Sequence, residues 1–196
     1  FSRIESGRLE IEPQPLVLGE FLAASVLLST TIKFDGRLVL QVRSKGQIAL
    51  MMAECTSNGE VRGIARYDVV PTSSEFTELL RDGTLVITID TRKGEPYQGV
   101  VALEGKSLAE CLHEYFRQSE QLGTQFTIAT NRDGVAAMLL QQLPAQLHTD
   151  PEVRAQHWEH FSTLARTLTD DELLESEGHV QKLAGLVQQR YAVTRD

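Results

Sequence analysis

The chain has 196 residues, of which 41% are hydrophobic and 23% are charged, a composition typical of a folded globular protein. Its formal net charge of −8 argues against binding to nucleic acid phosphates or to anionic lipid surfaces. No apolar run approaches the roughly 18 residues that a membrane-spanning helix needs. The two cysteines, Cys55 and Cys111, exclude a disulfide framework within these residues and favour a reducing cytoplasm as the location.

The first third of the sequence predicts one helix followed by a run of strands. Residues 1–12 alternate weakly and are a candidate strand, which the "PQP" of residues 13–15 ends. Dense, small apolar residues then predict a buried helix over 16–31. The apolar period next changes to two, and Asn58-Gly59 is a strong hairpin signal. This pattern predicts strands over 37–43, 47–55 and 60–69.

The middle of the chain repeats the hairpin pattern, with helices inserted between the strands. A short helix is predicted over 73–81 and a longer one over 107–121. The turn sequences "TRKGEP" and "NRDG" each lie between two period-two segments. These segments predict strands over 84–90, 97–103, 124–130 and 135–143. The succession indicates an α+β fold with mostly antiparallel, meandering sheets and inserted helices.

Pro144 ends the strand pattern, and the sequence that follows is helical and polar. Asp150 is an N-cap candidate with Pro151 at the first helical position, and Thr169 marks a second helix start before "DDELL". We therefore expect two parts. These are an α+β core domain over 1–146 and a helical linker region over 147–196.

The stretch "LAECLHEYFRQSEQ" (108–121) concentrates reactive side chains and raises the question of a thiol-dependent enzyme. Residues three or four apart share a helix face and residues two apart do not, so Cys111 lies on the apolar face and His113 on the other. A Cys–His dyad needs hydrogen-bond reach, which this spacing does not give, although a base from another segment is left open. A buried structural thiol is favoured for Cys111 and for Cys55.

Other patterns that carry chemistry are weak in this sequence. His157 and His160 are three apart on a predicted helix and could share a metal ion, but no His-Glu-x-x-His motif accompanies them, and a solvated helix face is favoured. The glycine-containing turns lack the strand–loop–helix context of a phosphate loop, and no Gly-x-Ser-x-Gly elbow occurs. We therefore predict no catalytic and no metal-binding residue in this chain.

Large apolar residues in the C-terminal region predict a face that either packs on the core or is held ready for a partner. Packing on the core is favoured. The residues concerned are Trp158, Phe161, Leu164, Leu168, Leu173 and Leu174.

Six segments, in their order and spacing, resemble those of the heat-shock protein 33 family, the redox-regulated bacterial holdase chaperones. Together they cover most of residues 16–175. The segments are "TIKFDGRLVLQV" (31–42), "VRGIAR" (61–66), "LVITI" (85–89), "GEPYQGVVALEG" (94–105), "LAECLHEYFRQSEQL" (108–122) and "MLLQQLPAQ" (138–146).

The resemblance implies a sheet-rich core, then a helical linker, then a small domain in which four cysteines hold zinc. Family members bind unfolding proteins without ATP and prevent their aggregation, and oxidation of the zinc cysteines activates them. We expect that zinc domain to be absent from this sequence, so no zinc ligand is assigned to Cys55, to Cys111 or to any other residue. The family has a longer segment before the helix at 16–31, which predicts that residues are missing around 9–15.

The first hypothesis is therefore the core and linker of a holdase whose client-binding surface is formed by the six apolar residues named above. Its expected partners are unfolded proteins and a second copy of the chain, in a homodimer that can exchange linker helices. The alternative is a thiol-dependent enzyme that uses Cys111 or Cys55. A third hypothesis is an acidic, β-rich scaffold for a single partner protein.

Overall fold

The computed structural model describes residues 16–32, 34–92, 94–119, 123–142 and 150–175. The helices within these ranges are α1 (Leu16–Thr31), α2 (Phe76–Leu79), α3 (Leu108–Ser119), α4 (Pro151–Arg166) and α5 (Asp170–Glu175). The strands are β1 (Gly36–Arg43), β2 (Leu50–Thr56), β3 (Val61–Arg66), β4 (Thr84–Thr91), β5 (Tyr97–Ala102), β6 (Thr124–Thr130) and β7 (Val135–Gln141). The predicted α+β class with antiparallel sheets is confirmed.

The strands form two antiparallel sheets. The larger sheet has the order β3-β2-β1-β4-β5, and the smaller one is the β6–β7 hairpin. The predicted meander therefore runs outward from β1 to β3. The chain then returns through α2 to place β4 on the other side of β1, so that β1 is the central strand.

Helix α1 lies against both sheets, with contacts to β1, β2 and β3 of the larger sheet and to β6 and β7 of the hairpin. A helix with neighbours on two sides must be apolar all round, and Glu20 is its only charged residue. Phe21 and Leu28 are essentially inaccessible to solvent. Alternate residues of β1, Leu38 and Leu40 among them, form the opposite wall of this core.

Helix α3 packs its apolar stripe on β5 and β6. Leu108, Cys111 and Leu112 are buried, whereas His113 is exposed, as the helical spacing predicts. On the exposed side Glu114 accepts hydrogen bonds from the Arg117 guanidinium, one turn away. That interaction holds the pKa of Glu114 far below its ordinary value, to about 2.

Three elements have a boundary that differs from the prediction by three residues, each for a local reason. The predicted strand over 47–55 begins only at Leu50. The backbone N–H groups of Gln47 and Ile48 donate instead to carbonyls of the last two residues of α2. The predicted strand over 60–69 ends at Arg66, and the residues after it are exposed. The predicted helix over 73–81 shrinks to the four residues of α2.

Several predictions fall outside the described residues: the strand over 1–12, the gap around 9–15, the domain boundary at 146 and the helical segment beyond Glu175. Within the described residues, no helix is both long enough and apolar enough to cross a membrane.

Candidate functional site

Helices α4 and α5 both begin with side-chain caps of the kind that the sequence predicts. The Asp150 carboxylate accepts hydrogen bonds from the backbone N–H groups of Glu152 (2.9 Å) and Val153 (3.3 Å). At α5 the Glu172 carboxylate accepts from the Thr169 N–H at 2.9 Å, while the Glu172 N–H donates to the Thr169 hydroxyl at 3.3 Å. This reciprocal pair is a capping box. It holds the pKa of Glu172 below its ordinary value.

The two helices dock on the β6–β7 hairpin through a small number of contacts. Helix α5 touches both strands, and its Leu173 is only 2% exposed. The Trp158 indole of α4 lies over Gly123, the residue before β6, in the space that a side chain on Gly123 would occupy. The Gln142 amide, just after β7, donates to the carbonyl of Arg154 at 3.4 Å. Docking therefore uses one end of the hairpin together with its face.

The six predicted apolar residues are distributed between the interface and the surface. Leu173 is buried, and Leu164 is 51% exposed. Between these extremes lie four partly buried side chains: Trp158, Phe161, Leu168 and Leu174. The structure brings Trp158 and Leu173 onto the same hairpin, whereas Leu164 points to solvent. The favoured alternative, in which the apolar face packs on the core, describes Trp158 and Leu173.

One charged group of α1 interacts electrostatically with α5. Glu20 is partly buried, and the negative charge of Asp170, at the start of α5, acts on it. Burial first, and the Asp170 charge second, raise the pKa of Glu20 from 4.5 to about 7. The ionised form of Glu20 is therefore disfavoured in the folded chain.

We expect Glu20→Gln to stabilise the protein above pH 7. Because the folded-state pKa of Glu20 lies above its unfolded value, the wild-type chain loses stability as the pH rises from 4.5 through 7. The variant should gain on the order of 1–2 kcal/mol at pH 8, after allowance for solvent screening, and little at pH 5. Urea unfolding at both pH values measures the gain. Exposed Glu95→Gln is the control, and an equal gain at the two pH values would contradict the assignment.

The two thiols lie apart in the core and not in a common site. Cys55 is inaccessible to solvent, and its Sγ–H donates to the Ser29 hydroxyl of α1 at 3.3 Å. Cys111 is 3% exposed and lies beside Gly105. Burial, with Glu110 and Glu104 adding to it, raises the pKa of the Cys111 thiol above its ordinary value. The thiolate that a nucleophile needs is therefore disfavoured, and the predicted structural burial of both cysteines is confirmed.

Alkylation of the native protein should be slow at both thiols. Each must wait for a local opening, and an opening free energy of about 3 kcal/mol slows the reaction about 100-fold. Maleimide labelling at pH 7.5, followed by peptide mass spectrometry, measures each site, with the urea-unfolded chain as the reference. Fast labelling of Cys111 in the native protein would restore the enzyme alternative.

The described residues do not fit a zinc site. They contain no group of three or more histidine, cysteine, aspartate or glutamate side chains close enough to hold a metal ion. His157 and His160 are both exposed on α4, which agrees with the favoured solvated face.

Two residues of the docking interface were not identified from the sequence. Gly123 and Gln142 flank the β6–β7 hairpin and are joined by a backbone hydrogen bond of 2.7 Å from the Gln142 N–H. A glycine before a strand carries no sign of a tryptophan 35 residues further along the chain. Glu20 did carry a signal, as the single charge in an otherwise apolar helix.

A solved structure with the same α+β architecture is the crystal structure of the 33 kDa chaperonin (heat shock protein 33 homolog) from Thermotoga maritima. It matches with a TM-score of 0.51 and 27% sequence identity, over 63% of this chain and 45% of that one. Sequence relatives are the 33 kDa chaperonins of Pseudomonas aeruginosa LESB58 (52% identical) and Azotobacter vinelandii (53% identical). Both alignments span 165 residues, which is 83% of this chain and 56% of the relative.

Residues 12–193 match the model of the family described as Hsp33 protein. The chain belongs to the Hsp33 family. It spans about half the length of the curated relatives that it matches.

Proposed function

We propose that this chain is the core and linker part of an ATP-independent holdase, which binds unfolding proteins and prevents their aggregation under oxidative stress. Family membership supports the chaperone class. The observation that carries the proposal is the way α4 and α5 dock. They cover the β6–β7 hairpin with large apolar side chains, Trp158 and Leu173 among them, yet few residues of either helix are buried.

Docking of this kind is easily reversed. Ser162 is the one buried residue of the 16-residue helix α4, and Leu173 is the one buried residue of α5. Segments with few buried apolar contacts open at the low end of the local stability range. Opening would free the apolar side chains of both helices together with the hairpin surface beneath them. Broad client binding needs such adaptable apolar area more than a shaped polar pocket.

We assign the client surface to the six residues predicted from the sequence. Trp158, Phe161, Leu168, Leu173 and Leu174 would be shielded in the docked state and offered on release, while Leu164 is exposed in both. Leu173 and Leu164 therefore allow a shielded and an exposed leucine of the same proposed surface to be compared by substitution.

We place redox control in a zinc-binding cysteine domain like that of the family, and not in the described residues. Among the described residues, neither buried thiol, Cys55 or Cys111, belongs to a group of three or more potential metal ligands. Oxidation of that domain would favour the undocked state of α4 and α5. We propose no enzymatic activity for this chain, and the cytoplasm as its location.

The test is light scattering by a thermally unfolding client protein in the presence of this chain, with and without reductant. We expect suppression of aggregation at stoichiometric excess, and no dependence on ATP. Absence of suppression under both conditions would defeat the proposal. An equal amount of serum albumin serves as the control for non-specific protection.

We also propose a homodimer in which α4 and α5 can dock on either subunit. The few docking contacts support such an exchange. Light scattering coupled to gel filtration at micromolar concentration should give twice the 21.8 kDa mass of the chain. A monomer mass across the concentration range would contradict it.

A further inference from the structure

Two tyrosines from different elements meet at the edge of the larger sheet. Tyr97 is the first residue of β5, and Tyr115 lies in the second half of α3. Their hydroxyl oxygens are 3.3 Å apart, close enough for one phenol to donate a hydrogen bond to the other. The residues are 18 positions apart in sequence, so tertiary packing and not local geometry brings them together.

The fold makes room for this pair through Gly99. Tyr97 and Gly99 are two apart on β5 and face the same side of the sheet. A side chain at Gly99 would overlap the Tyr115 hydroxyl, which rests on the strand at this point. The buried Leu108 and Leu112 fix α3 above the strand, so the Tyr115 ring has a defined position.

The pair is open to small molecules from one side. Tyr97 is 56% exposed, while Tyr115 is partly buried. The chain has four tyrosines in all. Tyr67 is also exposed, at 38%, but it follows β3, which forms the opposite edge of the same sheet. Tyr97 and Tyr115 thus differ from Tyr67 in having a second phenol within contact distance.

We propose that Tyr97 and Tyr115 form a site of intramolecular dityrosine cross-linking by one-electron oxidants, such as a peroxidase supplied with hydrogen peroxide. Each phenol gives up one electron and one proton. The two tyrosyl radicals join through a carbon–carbon bond between their ortho positions, and the ortho protons move to the oxygens. Two hydrogen atoms are lost from the protein in total, and hydrogen peroxide is reduced to two molecules of water.

Proximity favours this reaction over coupling between molecules. Two groups held in contact react at effective concentrations far above those of proteins in solution. The buried thiols of Cys55 and Cys111 are shielded from the same oxidants. The product would tie α3 to β5 covalently, at a position outside the α4–α5 docking site.

The experiment treats the dilute chain with peroxidase and hydrogen peroxide and isolates the monomer-sized product. Thiols are then alkylated in denaturant, and the product is digested with trypsin. We expect dityrosine fluorescence and a linked pair of peptides, residues 94–106 and 107–117, two hydrogen masses below their sum. Tyr97→Phe and Tyr115→Phe should each lose both signals, whereas Tyr67→Phe should retain them.

A wild-type monomer without the linked peptides would overturn the inference, and so would fluorescence that survives in Tyr115→Phe. Circular dichroism of the phenylalanine variants shows that loss of the link does not come from loss of the fold. The inference does not rest on the proposed chaperone function, because its readout is a covalent product and involves no client protein.

Discussion

Replacing Leu173 by alanine should release α5 from the β6–β7 hairpin. Leu173 is 2% exposed and is the buried anchor of its helix. Truncation of a fully buried leucine costs about 2–5 kcal/mol, through lost apolar burial and the cavity left behind. Because α5 has six residues, we expect this cost to appear as local opening rather than global unfolding. Hydrogen exchange of the α5 amides, measured by mass spectrometry, detects the opening.

Leu164→Ala is the matched control, since it removes the same atoms from a leucine that is 51% exposed. Its effect on stability should stay within about 0.5 kcal/mol. If α5 exchanges equally fast in the two variants, Leu173 does not anchor the helix. Under the proposed function, Leu173→Ala should also suppress client aggregation more strongly than the wild type in the presence of reductant, because release of α5 exposes the remaining apolar residues and the hairpin surface beneath them.

Replacing Gly123 by alanine should displace α4. The Trp158 ring atoms lie within 3 Å of the position that the new methyl group would take, which is closer than non-bonded carbons approach. Overpacking of this kind costs about 1–3 kcal/mol. Trp158 is the one tryptophan of the chain, so its fluorescence reports on this contact alone. We expect a red-shifted emission and stronger quenching by iodide.

Gly134→Ala is the control for this substitution. Gly134 lies in the turn between β6 and β7, and a methyl group there would meet no atom within 4 Å. Its emission spectrum should match that of the wild type. An unchanged spectrum in Gly123→Ala would show that Trp158 does not rest on this glycine in solution.

The two docking variants also separate the fold from the proposed function. If both undock their helices and neither raises client protection, the client surface lies elsewhere, although the docking geometry is right. If protection rises in both, release of α4 and α5 is sufficient to create the active surface.

Local signals made several elements predictable. The helix over 16–31 has the bounds of α1, because the prolines at 13 and 15 stand before it and the apolar period changes after it. The β6–β7 turn follows from "NRDG", where the Asn131 side chain accepts hydrogen bonds from the N–H groups of Asp133 and Gly134. Helical spacing separated Cys111 from His113 without any tertiary information.

Long-range contacts set the features that the sequence left open. Gln47 and Ile48 fall within the predicted strand, yet their N–H groups donate to the carbonyls of Glu78 and Leu79, so β2 begins only after them. The place of β4 beside β1 depends on a connection that returns past two strands. The position of the Trp158 side chain depends on Gly123, which no local sequence pattern distinguishes from other glycines. The apolar residues of α4 and α5 could be listed from the sequence, but not which of them are buried in the interface and which are exposed.

The position of α1 has a consequence for synthesis of the protein. This helix comes first among the described elements, yet the strands that cover it end only with Gln141, about 110 residues later. At about 5–20 residues per second, the ribosome needs on the order of 5–20 s to deliver them. During that interval the almost uncharged α1 can contact β1, β2 and β3 but lacks its β6 and β7 partners. A newly synthesised chain therefore exposes apolar surface of the kind that a holdase would protect.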